Sequence, residues 1–73
     1  MFDPSAFRIR RLTSRVTQLD LSARSRVRND RISRFESGLI RLDPDEIDRL
    51  LRALTSIERE KFRRAARPPK EAA

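Results

Sequence analysis

Asn29, Asp30, Ser33 and Arg34 fall on one side of a helical projection, opposite Ile32 and Phe35. An amide, a carboxylate, a hydroxyl and a guanidinium in that arrangement offer directional hydrogen bonding, without a nucleophile or a proton shuttle. On a helix narrow enough for a groove about 12 Å wide, Arg34 can present paired donors to guanine O6 and N7. Asn29 can pair with adenine, Asp30 can accept from a cytosine amino group, and Ser33 flanks them. The plainer account of two of these residues is an exposed i, i+4 ion pair between Asp30 and Arg34, worth about 0.2–0.5 kcal/mol. The two accounts are compatible, since such a pair would hold the guanidinium in place before a ligand arrives.

Other chemistry is poorly supplied. The chain has no histidine and no cysteine, so disulfides and thiolate metal sites are excluded and only carboxylates remain as metal ligands. Its one glycine rules out a glycine-rich phosphate loop. The clustered carboxylates Asp43, Asp45, Glu46 and Asp48 sit where helix capping and the helix dipole already account for them. We therefore expect no enzyme activity, no cofactor and no metal.

The elements that must position the polar face are two short helical patterns within residues 17–38. The first opens on Thr17, a good N-cap, with Asp20 three residues on as a capping-box partner; Leu21, Ser25 and, past the turn, Val27 are its buried positions. The second starts near Arg28 or Asn29 and stops at Gly38, whose freedom at positive φ suits a helix end. Only a tight turn fits between them, which is the outline of a helix-turn-helix.

Thr17-Gln18 with Leu21-Ser22, followed by Val27 and then Ile32-Ser33-Arg34-Phe35-Glu36 with Gly38, resembles the lambda-repressor-like, or XRE-family, helix-turn-helix. Ile47, Leu50, Ala53 and Leu54 continue the spacing, so the resemblance covers residues 7–54. It implies an all-α domain of four to five helices around a central helix-turn-helix that reads double-stranded DNA. It also implies that Gln18 reaches a phosphate and braces the recognition helix. Two residues depart from the pattern: Arg26 occupies the interhelical turn where glycine is common, and Arg28 stands where a Ser or Thr cap is usual. Arg26 is expected at a strained positive φ, and Asn29 is a substitute cap that would shift the helix start by one residue.

The first helix begins at Asp3-Pro4, an acidic N-cap followed by an N1 proline, and is expected to run to about residue 14. Periodicity puts Ile9, Leu12 and Val16 on its core face, whereas the resemblance puts Phe7 and Arg11 there. In the second register Arg11 would pair with Glu36. Helix 4 is expected over 44–54, from the capping box of Asp43 and Glu46 and a stripe of Ile47, Leu50, Leu51 and Leu54. A second capping box at Thr55 to Glu58 predicts a separate helix over 56–66, whose sparse Ile57 and Phe62 suit a dimer contact. Leu39, Ile40 and Leu42 either cover the core or join that contact. Residues 67–73, with two prolines, are expected to form a disordered tail after a single domain over 1–66.

The net charge of +7 is uneven. Residues 8–41 hold ten Arg against Asp20, Asp30 and Glu36, a balance of +7, whereas residues 42–73 hold eight basic against seven acidic residues. A preference for Arg over Lys explains neither the segregation nor its place. A basic patch on part of a small helical domain suits phosphate backbones, with Arg28, Arg31 and Arg41 beside Gln18 as phosphate contacts. No stretch approaches the roughly 20 apolar residues that span a bilayer, nor is there a signal peptide's apolar run, so a cytoplasmic protein is expected, and the resemblance implies a bacterial or phage origin.

One recognition helix reads about four or five base pairs, which argues for a homodimer on a two-fold operator. Leu39, Ile40, Ile57 and Phe62 are the candidate interface. The function expected is a small repressor or autoregulator of phage, plasmid, mobile-element or restriction-modification controller type, with contact to RNA polymerase a further partner for an activator. The alternative class is a protein-interaction module, an antitoxin or antiactivator with DNA binding secondary. RNA is disfavoured because no aromatic residue lies on the polar face to stack with bases.

Overall fold

The computed structural model describes residues 3–66, and within them the chain is all-helical: α1 (Pro4–Thr13), α2 (Gln18–Ser25), α3 (Asn29–Glu36) and α4 (Pro44–Ala66). The expected tail over 67–73 lies outside the described residues. The helix starts follow their sequence signals. Asp3 accepts from the Ser5 N–H with Pro4 at N1, Thr17 and Asp20 exchange side-chain and backbone hydrogen bonds, and Asp43 and Glu46 do the same at α4.

The helix ends use left-handed residues. After α3, Gly38 at φ +79° lets its own N–H reach the Phe35 carbonyl and the Leu39 N–H reach the Arg34 carbonyl, the Schellman closure. Arg15 closes α1 in the same way at φ +56°, donating to Leu12 while Val16 donates to Arg11. Arg26 ends α2 at φ +61°, as the missing glycine predicted. A side chain at such a φ costs about 1–2 kcal/mol, so both arginines hold these turns against their own backbone preference.

The core gathers Phe7 from α1, Val16, Leu21 and Val27 around α2, Ile32 and Phe35 from α3, Leu42 from the connection to α4, and Leu50, Ala53, Leu54 and Ile57 from α4. Phe7 and Phe35 meet edge to face with ring centroids 6.1 Å apart. α2 packs on both α3 and α4, and α1 packs on α3.

The register of α1 is decided between its two alternatives, and the helix break near residue 55 and the place of Ile57 are corrected. The core face of α1 is Phe7 and Arg11, both buried, whereas Ile9 and Leu12 are exposed at 64% and 54%; simple periodicity misled because a buried arginine occupies a position that an apolar residue would mark. Residues 44–66 form one helix of 23 residues, not two. No Gly or Pro interrupts 54–57, and the cap-type side chains face other helices instead: Thr55 and Glu58 accept from Arg10, Glu58 also from Ser14, and Ser56 from Arg24. Ile57, expected at a subunit contact, lies in the core of the single chain. Among described side chains beyond it, none is buried.

Candidate nucleic-acid interface

α3 is held from beneath by Ile32 and Phe35, exposed by 0% and 3%, while Asn29, Asp30, Ser33 and Arg34 all stand on its exposed side. Its N-cap is Arg28, in extended conformation and with no side-chain cap hydrogen bond; Asn29 is already helical and does not substitute. The turn before it is fixed from inside, where the buried Ser25 hydroxyl accepts from the Val27 N–H. Asp30 sits in the first turn, where the helix dipole favours a negative charge, and its nearest cation is Arg28 at 3.3 Å. The expected Asp30–Arg34 pair does not form among the described residues. Arg34 is thus exposed without a charged partner among the described residues, its fork of donors open to a ligand.

The orientation of α3 is set by a buried network. Arg11 donates from Nε and Nη2 to the two oxygens of Glu36, both at 2.8 Å, and from Nη1 to the Val16 carbonyl at 2.9 Å. Gln18 Nε2 donates to Glu36 Oε1 at 3.1 Å. Side-chain exposure is 9% for Arg11 and 2% for Glu36, so the ions survive burial because every strong donor and acceptor facing the pair is used. The ends of α1, α2 and α3 are thereby locked to one another, and Gln18 braces α3 from the start of α2.

Other arginines of the positive half are engaged by α4. Arg31 makes a two-point pair with Glu46, Nε to Oε2 at 2.8 Å and Nη2 to Oε1 at 2.7 Å. The Arg31 guanidinium, helped by the Asp43 backbone, holds the Glu46 carboxyl below the usual carboxylate range, against the opposing effect of burial. Arg10 does the same to Glu58, and Arg24 to Glu60. These pairs span 15, 48 and 36 residues of sequence, and no local spacing signals them.

Of the residues assigned to phosphates, Arg41 is exposed with no ion-pair partner among the described residues, Arg28 is exposed beside Asp30, Gln18 donates to Glu36, and Arg31 pairs with Glu46 while its side chain stays 41% exposed. Of the candidate interface, Leu39 and Phe62 are exposed at 75% and 76%, and Ile40 packs half-buried against the core. Among the described residues no group of acidic side chains is arranged to hold a metal ion, and no helix there is long and apolar enough to cross a membrane. Comparison with family models, curated proteins and solved structures finds no match to this chain.

Proposed function

We propose that this chain is a sequence-specific double-stranded DNA-binding regulator of transcription, with α2, the turn at residues 26–28 and α3 forming a helix-turn-helix of the lambda-repressor-like kind. The observation that carries the reading is the outward polar row of Asn29, Asp30, Ser33 and Arg34 on a helix whose opposite side is fully buried. Such a row on a rigidly seated helix can be pushed into a major groove and read base edges. The excess of unpaired arginine on the same half, with Arg8, Arg15, Arg26, Arg34 and Arg41 lacking ion-pair partners among the described residues, supplies attraction to phosphates.

A single α3 reads too few base pairs to find one site in a genome, so the functional unit is a dimer on two-fold-related half-sites, acting by occlusion of the promoter. Leu39 and Phe62, both exposed apolar side chains, are available for that contact. They also support a second reading, a protein-interaction module that docks another regulator through the same side chains.

Selection of bound duplexes from a random pool, followed by salt titration, separates the two. The DNA reading expects a selected sequence whose affinity falls steeply with salt. Arg34→Ala relaxes preference at one base pair by about 1–3 kcal/mol, and Arg41→Ala weakens all sequences alike while reducing the salt slope by about one. A pool from which nothing is enriched at low salt rejects it.

A further inference from the structure

Leu12 and Leu19 are exposed at 54% and 68%. Together with Val16 they line a shallow notch of about 600 Å3 between the end of α1 and the start of α2, and Gln18 and Asn29 line the same notch. Exposed leucines scattered singly on a surface require no explanation. Here two converge on one concavity that runs up to the first residue of the outward polar row of α3. Arg15 belongs to the same lining and has no ion-pair partner among the described residues. An apolar hollow flanked by a free cation and by Asn29 suits an apolar group that itself lies among phosphates and base edges. In the major groove of DNA one such group exists, the 5-methyl of thymine.

Resting on the DNA-binding reading, we propose that the notch between α1 and α2 receives a thymine methyl group beside the base met by Asn29, with Leu19 as the specificity-determining contact. The notch occupies the corner where α2 and α3 both begin, and Gln18 and Asn29 come from those two helix starts. A second copy of the chain is the competing apolar occupant. Seating two such notches face to face would gather both Arg15 side chains into one contact whose lining offers no carboxylate, a like-charge cost that a thymine does not impose. Leu19 carries no core packing, so its truncation leaves the fold in place, and alanine suits the second position of α2.

In the test, each thymine of the best selected duplex is replaced in turn by deoxyuridine, which keeps base pairing and removes only the methyl. Loss of one buried methyl corresponds to roughly fourfold weaker binding. The expected result is one thymine per half-site whose replacement weakens the wild-type chain about fourfold, while Leu19→Ala binds the two duplexes equally; Leu12→Ala reduces the discrimination in the same direction. A wild-type chain that binds the thymine duplex tightly yet ignores every deoxyuridine overturns the notch and leaves the DNA reading standing. Retention of the full fourfold loss by Leu19→Ala also overturns it, as does a selected site without thymine. Selection of no duplex at all defeats both readings. Sedimentation without DNA completes the test: a lower mass for Leu19→Ala than for wild type would assign the notch to a second copy.

Discussion

Replacing Glu36 by alanine should remove a large part of the folding free energy. Glu36 accepts from Arg11 Nε, Arg11 Nη2 and Gln18 Nε2, and its carboxylate is 2% exposed beside a guanidinium that is 9% exposed. The truncated chain keeps a buried cation whose one remaining partner is the Val16 carbonyl. Stranding one partner of a buried pair costs about 3–5 kcal/mol. At about 0.05–0.15 kcal/mol per residue, a chain of 73 residues has roughly 4–11 kcal/mol in total, so the loss is between about a quarter and all of it. Removing the charge from both sides, as in Arg11→Met with Glu36→Leu, should restore stability to near wild type, because the desolvation of two ions is then avoided. Urea denaturation of the three proteins at pH 7, followed by far-UV circular dichroism, gives both changes in stability. With a slope of about 1 kcal/mol per molar urea, the single variant loses several molar in its midpoint. A Glu36→Ala cost under about 1 kcal/mol, or a double variant as unstable as the single one, would refute the argument from burial.

Acid should destabilise the fold through α4. Glu46, Glu58 and Glu60 are each held below their usual value of 4.5 by an arginine, so their contribution is complete above that pH and is lost as pH falls through the lower folded values. Stability measured by thermal melts should stay nearly flat from pH 7 to about 5 and fall below that, more shallowly in Arg31→Met; an unchanged acid limb in that variant would contradict the Arg31–Glu46 clamp. Ile57→Ala should cost about 2–5 kcal/mol even at dilutions where the chain is monomeric, and Phe62→Ala less than about 0.5 kcal/mol in the same denaturation experiment; the reverse order would mean that α4 is buried differently. Gly38→Ala meets no steric neighbour within 4 Å, so its cost should be the positive φ alone, about 1 kcal/mol, while Arg15→Gly should gain a smaller amount by the same physics. Equal melting midpoints for wild type and both variants would show that neither turn is strained.

Much of the architecture can be read along the chain because it is governed by neighbours in sequence. The starts of α1, α2 and α4 come from Asp3-Pro4, Thr17 with Asp20, and Asp43-Pro44 with Glu46, all contacts within three residues. The burial of Leu21, Ser25 and Val27 and the outward row on α3 follow from helical spacing. The Arg11–Glu36 pair lies outside that class. Nothing local requires an arginine to be buried, and the family register alone placed it opposite Glu36.

Tertiary structure decided what the charges do. In the sequence the positive excess of residues 8–41 reads as one undivided patch. In the fold, Arg10, Arg24 and Arg31 are taken up by carboxylates of α4, while Arg34 and Arg41 have no ion-pair partner among the described residues. It also decided the length of α4, since Thr55, Ser56 and Glu58, which look like a new helix start, find better partners in Arg10, Ser14 and Arg24 across the molecule. Sequence fixes which residues lie on one helical face because that depends on a period of 3.6 residues. It leaves undetermined which ions meet, because a salt bridge depends on a distance in space that helix packing alone sets.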